Sequence, residues 1–329
     1  MNAELPRLHY PIMYLKEAYG GSMIQGKILI TGGAGYLGKA IIKRATEEHW
    51  DADITIFSTD AVKHLKILSE YPQVHSVIGD IRDGDTLWNS MTGKDVVIHA
   101  AAVKHIDVSE YNSIDTIDVN VTGSLNVLRC AAQLAIPDVV GISTDKACHP
   151  ANAYGASKYA MEKMFQEFSR LGLKTNFHLV RYGNVLDSTA SVLSAWKKAV
   201  EEGKPIKVTD PDMSRFWLSP SLAVDYIIEA LMLESGHIYI PKLPALSIGK
   251  LAEHTVGNVE IETIPVRPGE KKHETLVTEE ELEFVDNEPS HYNLSPTTEI
   301  RKPNYTMLTY TSDKAHQITK EELTALLNG

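Results

Sequence analysis

The sequence predicts an α/β fold: a doubly wound, mostly parallel sheet followed by a smaller lobe. Three observations predict it. Short apolar runs alternate with segments of helical periodicity through the first 180 or so residues; a glycine cluster follows the first run and opens a helix; and the alternation breaks down after about residue 185. The expected organisation is an irregular arm over 1–25, a nucleotide-binding unit over 26–185, and a lobe over 186–329, some of whose strands and helices return to the first unit's sheet.

Lys27–Thr31 is a short apolar run ending in glycines, followed by a helical pattern through His49. Asp53–Phe57 reads as the second strand and 61–70 as a helix. Val74–Ile78 and Asp95–His99 are further buried strands, separated by a helix near 83–91. Residues 115–135 form a long amphipathic helix stopped before Pro137, because proline cannot continue a helix. Asp138–Ser143 is a strand, Ala153–Leu171 a helix and Asn176–Arg181 a strand. Beyond 185, helices near 191–202, 220–234 and 247–255 mix with short strands at Ile206–Thr209, His237–Ile240 and Glu260–Ile264. Residues 285–313 read as polar and irregular, and 319–328 as a last helix.

The 329 residues, 43% of them hydrophobic, are enough for a large core. The formal net charge of −11 argues against a nucleic-acid surface, which wants clustered Lys and Arg. No apolar run approaches the roughly 18 residues of a spanning helix, and the first 22 residues lack the apolar centre of a signal peptide. Two cysteines, Cys130 and Cys148, make no disulfide framework and suit a reducing compartment. These features lead to the expectation of a cytoplasmic protein that binds neither nucleic acid nor membrane.

Gly32, Gly35 and Gly38 follow a strand and open a helix, the context that gives a glycine pattern meaning. Gly32 allows the tight turn, Gly35 lets backbone approach a pyrophosphate, and Gly38 permits close helix–sheet packing. The helix N-terminus, with Tyr36 and Leu37 in its first turn, then presents unpaired N–H groups to phosphate. This is the dinucleotide site of a Rossmann-type fold. At the end of the second strand, Ser58, Thr59 and Lys63 suit a 2′-phosphate, while Asp60 is free to cap the next helix. NADP is therefore preferred, with NAD the alternative. Asp80 and Ile81 are candidates for adenine contact, and the small Ala100, Ala101 and Ala102 allow backbone to run close to the cofactor. Lys104 is a candidate for cofactor or substrate.

Tyr154 and Lys158 lie four apart on one helix face. An adjacent ammonium favours the phenolate, letting the tyrosine take a hydroxyl proton as a hydride leaves. Thr144, at the preceding strand end, can bond the same hydroxyl. Asp145 and Lys146 follow it directly at the sheet's carboxyl edge, where an acid and a base would be useful. Burial beside a second cation would lower the lysine's pKa and Asp145 would raise it, so the residues leave the balance open. Cys148, His149, His99 and His105 have no partners at metal-ligand spacing.

These residues resemble the extended short-chain dehydrogenases/reductases, and within them the C5-inverting UDP-N-acetylglucosamine 4,6-dehydratases. The likeness runs from about residue 26 to about 280. Its motifs are Gly79-Asp-Ile-Arg-Asp83, His99-Ala-Ala-Ala-Val-Lys-His105, Ser143-Thr-Asp-Lys-Ala147 with Pro150 and Asn152, Tyr154-Gly-Ala-Ser-Lys158, Arg181-Tyr-Gly-Asn-Val185, Met213-Ser-Arg-Phe-Trp217 and Val266-Arg-Pro-Gly-Glu-Lys271. The resemblance implies oxidation at C4 with Tyr154 as base, removal of the C5 proton by Lys146, protonation of the departing C6 hydroxyl by Asp145, and return of the hydride to C6. It also implies that Asn184, Ser191, Val192, Arg215, Arg267 and Glu270 contact a UDP-sugar. It departs from the family at 186–192, where Asp187, Thr189 and Ala190 replace the usual glycine, arginine and glycine. A nucleotide-sugar 4-epimerase, a dehydratase for another NDP-sugar and an inactive dinucleotide-binding regulator are the alternatives. The amphipathic helices 115–135 and 153–171 suggest a homodimer or higher homo-oligomer, or else ordinary sheet-packing faces.

Overall fold

A computed structural model describes residues 24–186, 192–296 and 309–328. The expected arm over 1–25 falls almost wholly outside these, as do Asp187, Thr189, Ala190 and Ser191.

The first six strands are β1 (Gly26–Thr31), β2 (Ala52–Ser58), β3 (His75–Ile78), β4 (Val96–His99), β5 (Asp138–Thr144) and β6 (Asn176–Tyr182). Next come β7 (Asn184–Val185), β8 (Ile206–Val208), β9 (Ser214–Leu218), β10 (Ile238–Pro241) and β11 (Ala245–Ser247). The last are β12 (Ile261–Thr263), β13 (Thr275–Val277), β14 (Val285–Asn287), β15 (His291–Leu294) and β16 (Tyr310–Thr311). The main sheet has the order β14-β15-β10-β6-β5-β4-β1-β2-β3. From β3 to β10 its neighbours are parallel; β15 and β14 add an antiparallel edge. This is the α/β, Rossmann-type sheet that the alternation implied. Its strand order reverses between β1 and β4, and a crevice opens there at the carboxyl ends.

The central strands are apolar on both faces because helices cover both. Ile28, Leu29 and Ile30 of β1 and Val97 and Ile98 of β4 are fully buried. A second cluster, with Trp196, Trp217, Leu246 and Leu251 among its members, forms the core of the lobe around the three-stranded sheet β11-β9-β7.

The structure corrects the sequence reading in several places. The segment expected as one helix over 115–135 is a helical run from Ser113 to Leu134 interrupted by a π-helical stretch, Asp118–Gly123. A separate helix, Ile106–Tyr111, precedes it. Within 285–313, expected to be irregular, β14, β15 and β16 are strands. The first two complete the sheet edge, where half-exposed residues such as Asp286, Asn287 and Asn293 leave little apolar signal.

Candidate active site

A cavity of about 1220 Å³ opens over the carboxyl edge of the sheet. Gly32, Gly35, Tyr36, Leu37, Ser58, Thr59, Lys63, Asp80, Ile81, Ala100, Ala101, Ala102 and Lys104 line one end. Thr144, Lys146, Tyr154, Lys158, Asn184, Val192, Arg215, Arg267 and Glu270 line the rest. Of the expected site residues, Gly38 and Asp145 are not in its wall, and Ser191 lies outside the described residues.

The glycine turn is built for close approach. Gly32 has φ +68°, and a Cβ there would lie 2.8 Å from the Ala101 backbone, so only glycine fits. Gly38 has a packing role: its Cβ would sit 2.1 Å from the Gly33 carbonyl oxygen, inside the fold. The helix Tyr36–Glu47 begins at Gly35 with no side-chain cap. Its first-turn N–H groups therefore remain for an anion in the cavity.

At the end of β2, Asp60 caps the helix Ala61–Glu70 by accepting from the Lys63 N–H at 3.0 Å, and its other oxygen pairs with Lys63 Nζ at 2.8 Å. Ser58 Oγ is 2.7 Å from Nε2 of His64. Asp80 is gripped by Arg82, whose guanidinium holds its carboxyl below the ordinary range. Partial burial depresses the Lys104 ammonium, with Lys63 adding to the effect.

The loop after β4 is fixed by a residue the sequence reading missed. Asn120, buried within the π-helical stretch, accepts from the Val103 N–H at 2.8 Å and donates to the Val103 carbonyl and to Ser157 Oγ. One extra residue in the turn aims its amide at the loop, a common use of π stretches beside sites.

At the end of β5, Thr144 Oγ1 donates to Asp145 Oδ1 at 2.9 Å. Lys146 Nζ donates to Asp145 Oδ1 at 2.9 Å and to Asn184 Oδ1 at 3.1 Å, and lies 3.3 Å from Glu274 Oε1. Burial alone would lower the Lys146 pKa, but the Asp145 and Glu274 carboxylates outweigh it and raise it. This closes the balance left open by the residues alone, through a carboxylate that had not been singled out. Burial raises the Asp145 pKa, and Oδ2 has no hydrogen-bond partner. With no exposed surface, Asp145 reaches the cavity only through Thr144 and Lys146.

The Tyr154 phenol is pushed up to about 12 by burial; Lys146 and a hydrogen bond with Thr144 act against this. The opposing cation is thus Lys146, where Lys158 had been expected. Lys158 Nζ donates to the Ile142 carbonyl at 2.7 Å, and burial depresses it to about 8.

In the lobe, buried Arg215 pairs with Glu270 at 3.3 Å, and Arg267 pairs with the same carboxylate at 2.8 Å and with Asp107 at 3.6 Å. Two guanidiniums held by one carboxylate at the cavity wall offer fork donors to a diphosphate. Trp217 is in the lobe core and donates to the Leu246 carbonyl at 3.4 Å. His99 bridges Thr31 and Ser124 within the main core, where burial lowers its pKa to about 3. Cys148 is buried beside Arg181, and His149 pairs with Glu280 at the surface. Among the described residues no helix is long and apolar enough to cross a membrane.

The family model described as "Polysaccharide biosynthesis protein" matches residues 28–296. A Campylobacter jejuni protein named UDP-N-acetylglucosamine 4,6-dehydratase (inverting) is 36% identical over 82% of this chain and 83% of its own length. A Rickettsia bellii protein named UDP-glucose 4-epimerase is 36% identical over 81% of this chain and 82% of its own. The X-ray structure of Pen from Bacillus thuringiensis superposes with a TM-score of 0.86 at 30% identity, covering 93% of this chain and 98% of that one.

Proposed function

Because this chain belongs to the polysaccharide biosynthesis protein family, we propose that it is a UDP-N-acetylglucosamine 4,6-dehydratase of the C5-inverting kind, using NADP. The observation that carries this reading is the Thr144–Asp145–Lys146 cluster. A base on the wall of the cavity that holds the Tyr154 phenol stands one residue from a proton source buried behind it. Moving a hydride alone needs only the tyrosine and the lysine after it.

An oxidised nicotinamide bound along the Gly32 turn supplies hydride acceptance at C4 and hydride return at C6. Tyr154 takes the C4 hydroxyl proton, with Thr144 bonded to the same oxygen. The C4 ketone acidifies the C5 hydrogen, and Lys146 as a neutral amine takes that proton. Asp145 supplies the proton that leaves with the C6 oxygen as water. Sealed from the cavity, it delivers this proton through Thr144 Oγ1. Arg215, Arg267 and Glu270 bind and orient the diphosphate and sugar, while Asn184 orients the Lys146 amine.

The test is incubation of the enzyme with UDP-N-acetylglucosamine in deuterated water, followed by NMR of the product. The expected product is a 4-keto-6-deoxy sugar with deuterium at C5 and inverted configuration there. A product that keeps its C6 hydroxyl is that of a 4-epimerase, the reading the Rickettsia bellii relative favours, and overturns the proposal.

NADP is favoured over NAD because Asp60, the carboxylate just past the end of β2 where one would bond ribose hydroxyls, is committed to capping and to Lys63. Lys63 is half-exposed at the cavity rim, within reach of a 2′-phosphate. Lys63→Glu is expected to weaken NADP binding by roughly ten- to a hundredfold, the worth of a charged hydrogen bond, and to leave NAD binding nearly unchanged. Titration calorimetry with both cofactors checks this.

The chain is proposed to work as a homodimer or higher homo-oligomer through the helical run 113–134 and the helix Ala153–Ser169. Their inner faces are buried in the core through Val127, Leu128, Met161 and Phe165. Outside, Tyr111 is 87% exposed and Ile114 78%, with Ile117 and Tyr159 also exposed. An apolar strip of this kind favours a second copy. The double variant Tyr111→Glu/Ile114→Glu is expected to halve the mass measured by light scattering while the helical circular dichroism is kept. An unchanged mass would remove this interface.

A further inference from the structure

Glu274 lies just before β13, 98% shielded from solvent, in a position the sequence reading did not single out. Its N–H donates to Ser312 Oγ at 2.9 Å and its carbonyl accepts from the Ser312 N–H at 2.9 Å. Ser312 Oγ in turn lies 2.7 Å from Ser214 Oγ. The backbone carrying this carboxylate is therefore clamped to the lobe on two sides. Oε1 stands 3.3 Å from Lys146 Nζ and 3.9 Å from Arg215 Nε; Oε2 is 3.6 Å from Lys271 Nζ and has no hydrogen-bond partner. A buried carboxylate with an orphan oxygen is costly.

Resting on the dehydratase reading, we infer that Glu274 is a positioning residue that stabilises Lys146 as an ammonium at the moment it holds the C5 proton. The proton balance closes within the cluster. The Lys146 ammonium gives a proton to Asp145 across their 2.9 Å hydrogen bond, leaving a neutral amine and a neutral acid. The amine then takes H⁺ from C5; the C5–H electron pair forms the C5–C6 double bond as the C6–O bond breaks, and the oxygen leaves as water with the proton that Asp145 passes through Thr144. The cluster returns to an anionic Asp145 and a cationic Lys146. A second carboxylate beside Nζ makes the amine a stronger base for a weakly acidic C–H.

The charged groups facing Lys146 come from three segments. Asp145 lies on its own segment, Arg215 on β9, and Glu274, itself beside Lys271, ahead of β13; the uncharged Thr144, Tyr154 and Asn184 complete the shell. Glu274 itself stays anionic: burial would raise its pKa, but Lys146, Arg215 and Lys271 together lower it. It also adds to the burial that raises Asp145.

The test is Glu274→Gln in the enzyme carrying its cofactor, with UDP-N-acetylglucosamine as the probe. Two steps are read separately: single-turnover absorbance of reduced nicotinamide for C4 oxidation, and deuterium entry at C5 for proton abstraction. The expected result is C5 exchange slowed by about ten- to a hundredfold, the worth of a charged hydrogen bond, with cofactor reduction and KM near wild type. Both limbs of the pH–rate profile are expected to move to lower pH, because a negative charge beside both titrating groups is gone. Exchange at the wild-type rate with an unmoved profile overturns the inference. So does a parallel loss of both steps, which marks a mere brace. Should Glu274→Gln fail to fold, Glu274→Asp keeps the charge one methylene further back. Its exchange is expected to fall less and its pH limbs to move less; wild-type exchange there also overturns the inference. Absence of C5 exchange in the wild-type enzyme would instead refute the dehydratase reading, so the two failures are distinct.

Discussion

Tyr154→Phe is expected to lower C4 oxidation by about two to four orders of magnitude, the usual worth of a positioned acid or base. The substitution removes only the hydroxyl, and the buried ring has the same packing. The phenol is pushed up to about 12 by burial, with Lys146 and Thr144 the groups that oppose this. In the proposed mechanism it takes a proton at the instant the hydride departs. Absorbance of reduced nicotinamide under single-turnover conditions measures the step directly, and the KM for the UDP-sugar should be little changed. A variant that still reduces its cofactor at the wild-type rate would move the base elsewhere.

The second large effect is expected from Lys146→Met, which keeps the length of the side chain and removes the amine. Nζ is held by Asp145, Asn184 and Glu274, so its loss leaves two buried carboxylates without their shared cation. Deuterium entry at C5 should fall by roughly two to four orders of magnitude, while C4 oxidation continues and reduced cofactor accumulates. That split is the signature of a residue acting after hydride transfer. Some loss of stability is also expected, because the buried partners are left uncompensated; thermal unfolding with and without cofactor separates the two effects. Equal loss of both steps would contradict the assigned order.

How much of this was legible in the sequence depends on whether the signal was local. The parallel core was, because helix-covered strands such as Val96–His99 must be apolar on both faces. Gly32 was legible because the turn admits no other residue, and the Tyr154/Lys158 pair because four residues make one helical step. The direction of the Lys146 shift was not. Asp145 beside it is joined there by Glu274, 128 positions away, which follows closely on the Val266–Lys271 motif and carried no signal of its own. Asn120 was hidden for a related reason: its orientation comes from a π-helical stretch, and no residue pattern here signals one. Strand β9 was missed because Ser214 and Arg215 look exposed by type, although both are buried against β11 and the chain before β13.

The Arg181 guanidinium is enclosed at the end of β6, in bidentate contact with Glu162 of the helix Ala153–Ser169 and with Glu281 near the C-terminal part of the chain. One carboxylate comes from the chain before it, the other a hundred residues later. During synthesis the strand beside β5 therefore waits, with some of its guanidinium donors lacking their carboxylate partner, until the chain past residue 281 has been made. The nucleotide-binding half should not be obtainable as a well-behaved fragment ending near residue 186, and co-expression of the missing piece is the natural way to rescue it.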